Sequence, residues 1–200
     1  SVCTPTRYGL LTGRYSWRTH LQSGVVQGFD PCLIAKDRLT VAGLLKEQGY
    51  HTAIIGKWHL DFQYEDPQTG KTIKRNGKNT LAPVGSTIPD GPVNRGFDYY
   101  HGFHHAGDMK GVIENNTVIL HEDEINMLQR LTRKAVEYID ERANTKDQPF
   151  FLYVPFGSPH TPILPTKEWK GKSGLGDYAD FVMQTDDGVK QILEALDRDG

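Results

Sequence analysis

Cys3, Arg7, Lys57, His59 and His160 are residues whose types and settings could do chemistry together. Cys3 offers a small nucleophilic side chain. Pro5 follows at what reads as the first turn of a helix, where its missing N–H would have had no intrahelical partner. Arg7 lies four residues beyond Cys3, about one turn later and on the same face. A reactive group at the positive end of a helix, beside a guanidinium, suits attack on a tetrahedral anion and stabilisation of its oxyanion. Lys57 and His59 are two apart at the end of a predicted strand, so both side chains can point the same way. His160 falls on the loop after the apolar run Phe150–Val154, and α/β folds gather polar groups at the carboxyl ends of parallel strands.

Singly, each signal is weak. Cys3 alone reads as a structural thiol, Lys57-Trp58-His59 as a solvated strand end with Trp58 in the core, and His160 as a loop histidine. The pair His104-His105, in Gly102-Phe103-His104-His105-Ala106-Gly107-Asp108, could contact a ligand. A transition-metal site there would need a third ligand at a recognised spacing, and none accompanies it. Asp186 and Asp187 project about 100° apart on the last predicted helix, so they suit its surface better than one shared ion.

The elements that must position these groups can be read from periodicity. Thr4–Leu11 reads as a helix ended near Gly13, and Thr40–Gln48 as a second, with Thr40 as N-cap and Gly49 as its stop. Tyr50–Ile55 is a β-branched buried strand, and a helix followed by a strand is the unit of a parallel α/β sheet. Residues 61–95, rich in Gly, Pro, Asn, Asp and Thr, read as a surface excursion with a hairpin around Asn76-Gly77. Val112–Leu120 suggests another hairpin, turning at Glu114-Asn115-Asn116. Ile125, Leu128, Leu131, Ala135, Tyr138 and Ile139 mark one face of an amphipathic helix over 124–144. Phe150–Val154 reads as a central strand, and Tyr178–Leu196 as a final helix. The fold class is therefore α/β, a predominantly parallel sheet sandwiched by helices.

Composition narrows the function. The 200 residues carry 23 basic and 25 acidic side chains, a formal charge of −2, which gives no reason to expect nucleic acid as a partner. No apolar run approaches the roughly 20 residues of a membrane span. Two cysteines make no disulfide framework, and Cys32 reads as a buried small apolar residue. The chain starts without Met and has its candidate nucleophile at position three, so it reads as part of a longer protein.

The run Cys3-Thr4-Pro5-Thr6-Arg7, continuing to Leu10-Leu11-Thr12-Gly13-Arg14, closely resembles the nucleophile signature of the type I sulfatases. These are formylglycine-dependent, arylsulfatase-like members of the alkaline phosphatase superfamily. The block Gly49–Leu60, with Gly56-Lys57-Trp58-His59-Leu60 at its end, resembles the family's second signature. The resemblance implies hydrolysis of a sulfate monoester, with a sulfated glycan as the expected substrate. It implies that Cys3 is oxidised to formylglycine, whose hydrated aldehyde attacks sulfur and then releases sulfate without water attacking the ester. Arg7 would orient the diol, Lys57 would bind sulfate oxygens, and His59 would support proton transfer. His160 would contact sulfate and protonate the leaving oxygen, while His104 and His105 are candidates for leaving-group contacts.

The resemblance further implies Ca²⁺, a hard cation bound by oxygen ligands, with modified Cys3 as one ligand and the remaining ligands outside these residues. Residues 1–200 would then be part of an N-terminal catalytic domain whose upstream metal-binding strand and C-terminal part are absent. A formylglycine-generating (sulfatase-maturing) enzyme is the implied partner, and a periplasmic, extracellular or otherwise exported location is implied. The rival expectations are a phosphonate or phosphate monoester hydrolase of the same superfamily and a non-catalytic carbohydrate-binding relative.

Overall fold

The computed structural model describes residues 2–77, 80–145 and 147–199. Five strands form one sheet: β1 (His51–Lys57), β2 (Tyr99–Phe103), β3 (Gly111–Glu114), β4 (Thr117–His121) and β5 (Phe150–Tyr153). Their order is β4-β3-β2-β1-β5. β1 pairs in parallel with both β2 and β5, so the site-bearing end of the sheet is the expected parallel unit, while β5, read from its apolar run as central, lies at the edge among the described residues. The hairpin β3–β4 extends it antiparallel, turning at Asn115, whose φ of 52° an asparagine tolerates better than most residues.

Among the described residues four α-helices flank the sheet: α1 (Cys3–Thr12), α2 (Val41–Glu47), α3 (Met127–Ala143) and α4 (Asp177–Asp199). α1 stops at Gly13 in the left-handed conformation, with its N–H returned to the Gly9 carbonyl. Thr40 caps α2 by accepting from the Gly43 N–H. Alternation along β1 sends Ile54 into a core with Tyr8, Leu11, Ala42 and Trp58 from the α1 and α2 side. Ala53 and Ile55 enter a second core with Leu131, Ala135 and Tyr138 of α3. Both isoleucines are fully buried, and truncating either to Ala should cost about 2–5 kcal/mol. α4 packs on α3, with Phe181 and Ala195 buried while Val182, Val189 and Leu193 remain exposed.

Two elements differ from the sequence reading. β2 was not anticipated: Tyr-Tyr-His-Gly-Phe contains Gly102, a poor strand residue by propensity. Yet Gly102 is what the sheet requires, because a Cβ there would fall onto the backbone of Gly56 in the neighbouring strand. The excursion over 61–95, expected at the surface, forms no named strand among its described residues but buries Phe62, Tyr64, Ala82 and Ile88 in the first core. Isolated bridges from Glu65 to Thr72 and Thr87 hold it together. The expected hairpin around Asn76-Gly77 runs into residues 78 and 79, which lie outside the described residues.

Candidate active site

Three parallel strands end together, and the chain just beyond each end builds the site. Past β1 the backbone keeps pairing: Lys57 N–H donates to the Pro155 carbonyl (2.8 Å), Trp58 N–H to Phe103 (3.0 Å), and His59 N–H to His104 (2.8 Å). His59 is therefore not a strand residue, as its spacing from Lys57 had implied. Its φ is +55°, and the next but one residue, Asp61, has φ +60°. The neighbouring chain ends, rather than strand alternation, aim its ring. Trp58 is buried as expected, and its indole N–H donates to the Asp61 carbonyl (3.0 Å).

Cys3 occupies the first turn of α1 and is half-buried. It shares a cavity of about 400 Å³ with Val2, Val26, Lys57, His59, His105 and His160, among others. Thr4, not singled out in the sequence, fixes the helix start: its hydroxyl donates to the His59 carbonyl (3.0 Å) and accepts from the Val26 N–H (3.4 Å). One side chain thus pins the nucleophile's helix, the His59 loop and the 20s loop.

Arg7 stands behind the cavity lining. Its guanidinium donates to the Lys57 carbonyl (2.6 Å) and the Phe156 carbonyl (3.4 Å), tying together the chain beyond β1 and β5. Burial lowers its pKa, opposed by Tyr153 and Cys3. Lys57 is buried, and desolvation likewise lowers the ammonium's pKa, with Cys3 acting against that and Arg7 adding to it. Both cations interact electrostatically with Cys3.

His59 donates from Nε2 to the Val26 carbonyl (3.0 Å). A carbonyl only accepts, so the proton sits on Nε2 and Nδ1 is a bare lone pair. That Nδ1 is buried without a partner. Burial, then Lys57 and the two neighbouring histidines, push the His59 pKa down to about 2. His105 is pushed down to about 3, chiefly by burial and then by His104. His104 is fully buried behind His105, with the two Nδ1 atoms 2.8 Å apart. His160 is exposed on the loop beyond β5, its Nδ1 2.6 Å from the Thr161 carbonyl.

The structure therefore brings Cys3, Lys57, His59, His105 and His160 to one cavity, with Arg7 and His104 directly behind it. Thr4, Val26 and Asp61 are the supporting residues that sequence reading missed. Only Thr4 carried a signal, by its place beside Cys3. Asp187 accepts from Gln191 (2.7 Å) on α4 and serves the helix surface, as its spacing implied. Burial raises the Cys32 thiol pKa to about 11, consistent with a packed, unreactive residue.

An unpartnered imidazole nitrogen and a half-buried Cys3 between two cations suit a hydrated aldehyde at position 3, since the diol offers hydrogens to the one and oxygens to the others. A metal is a different matter. Among the described residues there is no group of three or more His, Cys, Asp or Glu able to hold one. The described residues do not form a metal centre by themselves.

A mixed α/β sheet with a cysteine at a helix start facing cationic strand ends defines the class, and comparison with known proteins agrees. The sulfatase family pattern matches residues 1–200. The chain belongs to the sulfatase family. It is 28% identical over 247 residues to an N-acetylgalactosamine-6-O-sulfatase of Bacteroides thetaiotaomicron, covering 98% of this chain and 46% of that protein. It is 32% identical over 215 residues to the uncharacterized sulfatase YdeN of Escherichia coli (strain K12), covering 100% and 36%. Among solved structures, one from Bacteroides thetaiotaomicron, described with its metabolism of multiple glycosaminoglycans, superposes with a TM-score of 0.81 at 24% identity. The match covers 99% of this chain and 50% of that one. The structure of Ps i-CgsB gives 0.74 at 26% identity, covering 98% and 45%. The chain spans less than half the length of the curated relatives it matches.

Proposed function

We propose that this chain carries the nucleophile and several of the catalytic groups of a sulfuric ester hydrolase that cleaves sulfate monoesters of a carbohydrate. The observation that supports it best is the convergence of Cys3, Lys57, His59, His105 and His160 on one cavity at the carboxyl ends of three parallel strands. Formylglycine at position 3 would supply a geminal diol, with one hydroxyl for attack on sulfur and a second to release sulfate. Lys57 offers a buried positive charge to the sulfate oxygens, where low polarity strengthens it. Arg7 holds the Lys57 backbone in place and adds charge from behind. His59, bare at Nδ1 and uncharged, accepts a hydrogen from the group at position 3. His160, exposed at the cavity mouth, passes a proton to the leaving oxygen.

Carbohydrate as the substrate class is supported by the relatives, which include an N-acetylgalactosamine-6-O-sulfatase and a Ps i-CgsB structure in complex with a neocarrahexaose. Ca²⁺, a maturation enzyme acting on Cys3, and a periplasmic or extracellular location belong to the same reading. Among the described residues no helix is long and apolar enough to cross a membrane.

The test uses the full-length protein co-expressed with a formylglycine-generating enzyme. Peptide mass spectrometry should find Cys3 converted to the aldehyde, and sulfate should be released from a panel of sulfated sugars. Cys3→Ala should lower turnover by at least about ten-thousandfold. An unmodified thiol, full activity in Cys3→Ala, or faster cleavage of the matched phosphate ester would reject the proposal.

A further inference from the structure

His105 presents its ring to the cavity, and the residues behind it fix which nitrogen bears the proton. Its Nδ1 lies 2.8 Å from Nδ1 of His104, so one proton must sit between them. His104 Nε2 in turn lies 3.3 Å from Asp61 Oδ1. Both residues are buried, and neither of these two atoms has a hydrogen-bond partner, so each faces only the other as a polar neighbour. A lone pair on Nε2 facing a carboxylate would be repelled, so the His104 proton belongs on Nε2. With a single proton on the His104 ring, at Nε2, its Nδ1 can only accept.

We infer that Asp61 and His104 are positioning residues that lock His105 as its Nδ1–H tautomer, leaving Nε2 as a bare acceptor on the cavity wall. This deepens the sulfatase reading, on which its consequence for substrate rests. A bare Nε2 selects a ligand that offers a hydrogen at this wall: a sugar hydroxyl or amide N–H near the sulfate. His59 Nδ1 is also bare, but it is buried and given to the group at position 3, so His105 Nε2 is the acceptor left for a ligand. The ring cannot turn to evade its role. His59 stacks on it at 5.4 Å between centroids. On another side the Gly28 backbone passes so closely that an added Cβ would lie 3.3 Å from His105 and 3.5 Å from His104.

The test reads ring nitrogens directly in the resting full-length protein, labelled with ¹⁵N-histidine, by long-range ¹H–¹⁵N correlation. His105 should show Nδ1 protonated and Nε2 bare. The reverse assignment, or a doubly protonated His104, would overturn the inference whether or not the protein cleaves sulfate esters. Asp61→Asn keeps the shape but can present an amide N–H to His104 Nε2. The relay should then invert, moving the His105 proton to Nε2; an unchanged His105 would reduce Asp61 to a packing role and reject the inference. Should Asp61→Asn fail to fold, the wild-type spectrum still decides. For a sulfated sugar that the protein cleaves, methylating the neighbouring hydroxyl should raise KM about tenfold in the wild type. Asp61→Asn should recover most of that loss. Equal KM for both sugars in the wild type would count against acceptor-based selection even if the tautomer stands.

Discussion

The two sides of the cavity are built in opposite ways. On one side His59, His104 and His105 are packed against one another, against Gly28 and against the chain past β1. Their nitrogens are assigned by buried partners, and His59 and His105 are held uncharged by burial, with pKa values near 2 and 3. On the other side His160 stands exposed between Pro159 and Pro162, with a carbonyl contact to the adjacent Thr161. The packed side can orient but cannot exchange protons with water. The exposed side can exchange them but is held by less. Separating the two tasks lets one site both orient a substrate and move a proton, without the His59–His105 wall gaining charge near neutral pH.

The strongest way to break this contrast is at Lys57, the cation that lines the cavity beside the packed histidines. Lys57→Met keeps the stem and removes the charge, and kcat/KM on an aryl sulfate should fall about a thousandfold; a loss of tenfold or less would mean that Arg7 alone carries the anion. Next comes the exposed arm. His160→Ala should cost about a hundredfold on a sugar sulfate, whose leaving oxygen needs a proton, and only a few-fold on a nitrophenyl sulfate, whose leaving group does not. Equal losses on the two substrates would remove the acid role from His160.

The smallest expected effect is on stability. His59 and His105 have folded pKa values far below the ordinary 6.5, so between those values the unfolded chain binds more protons than the folded one. Their contribution is complete above the unfolded value and is lost as pH falls towards the folded ones. Thermal midpoints should therefore drop between about pH 7 and about pH 5, and His105→Phe should flatten that slope. A slope unchanged in the variant would show that the histidine wall does not carry it.

How much of this was legible beforehand depends on the range of the interaction. α1 and α2 were written locally, in Pro5, Gly13, Thr40 and Gly49, and the turn at Asn115 in a similarly short signal. The grouping of Cys3, Lys57, His59 and His160 came from motif resemblance and from strand ends. β2 was hidden because Gly102 argues against a strand until the neighbouring backbone is known. The relay from Asp61 was hidden for a related reason: Asp61 and His104 are 43 positions apart, and nothing in either neighbourhood announces the other. His59 reached its expected place by an unexpected route, through a positive φ that periodicity does not encode.

Gly102 has one more implication. With no space for even a methyl group between it and Gly56, the separation between the chain segments carrying Lys57 and His104 is fixed by the two backbones alone. Attempts to reshape what this pocket accepts should leave both glycines untouched. Variation belongs at cavity-lining positions outside that framework, such as Val25, Gln27 and Ala106, which can change contour without prising the strands apart.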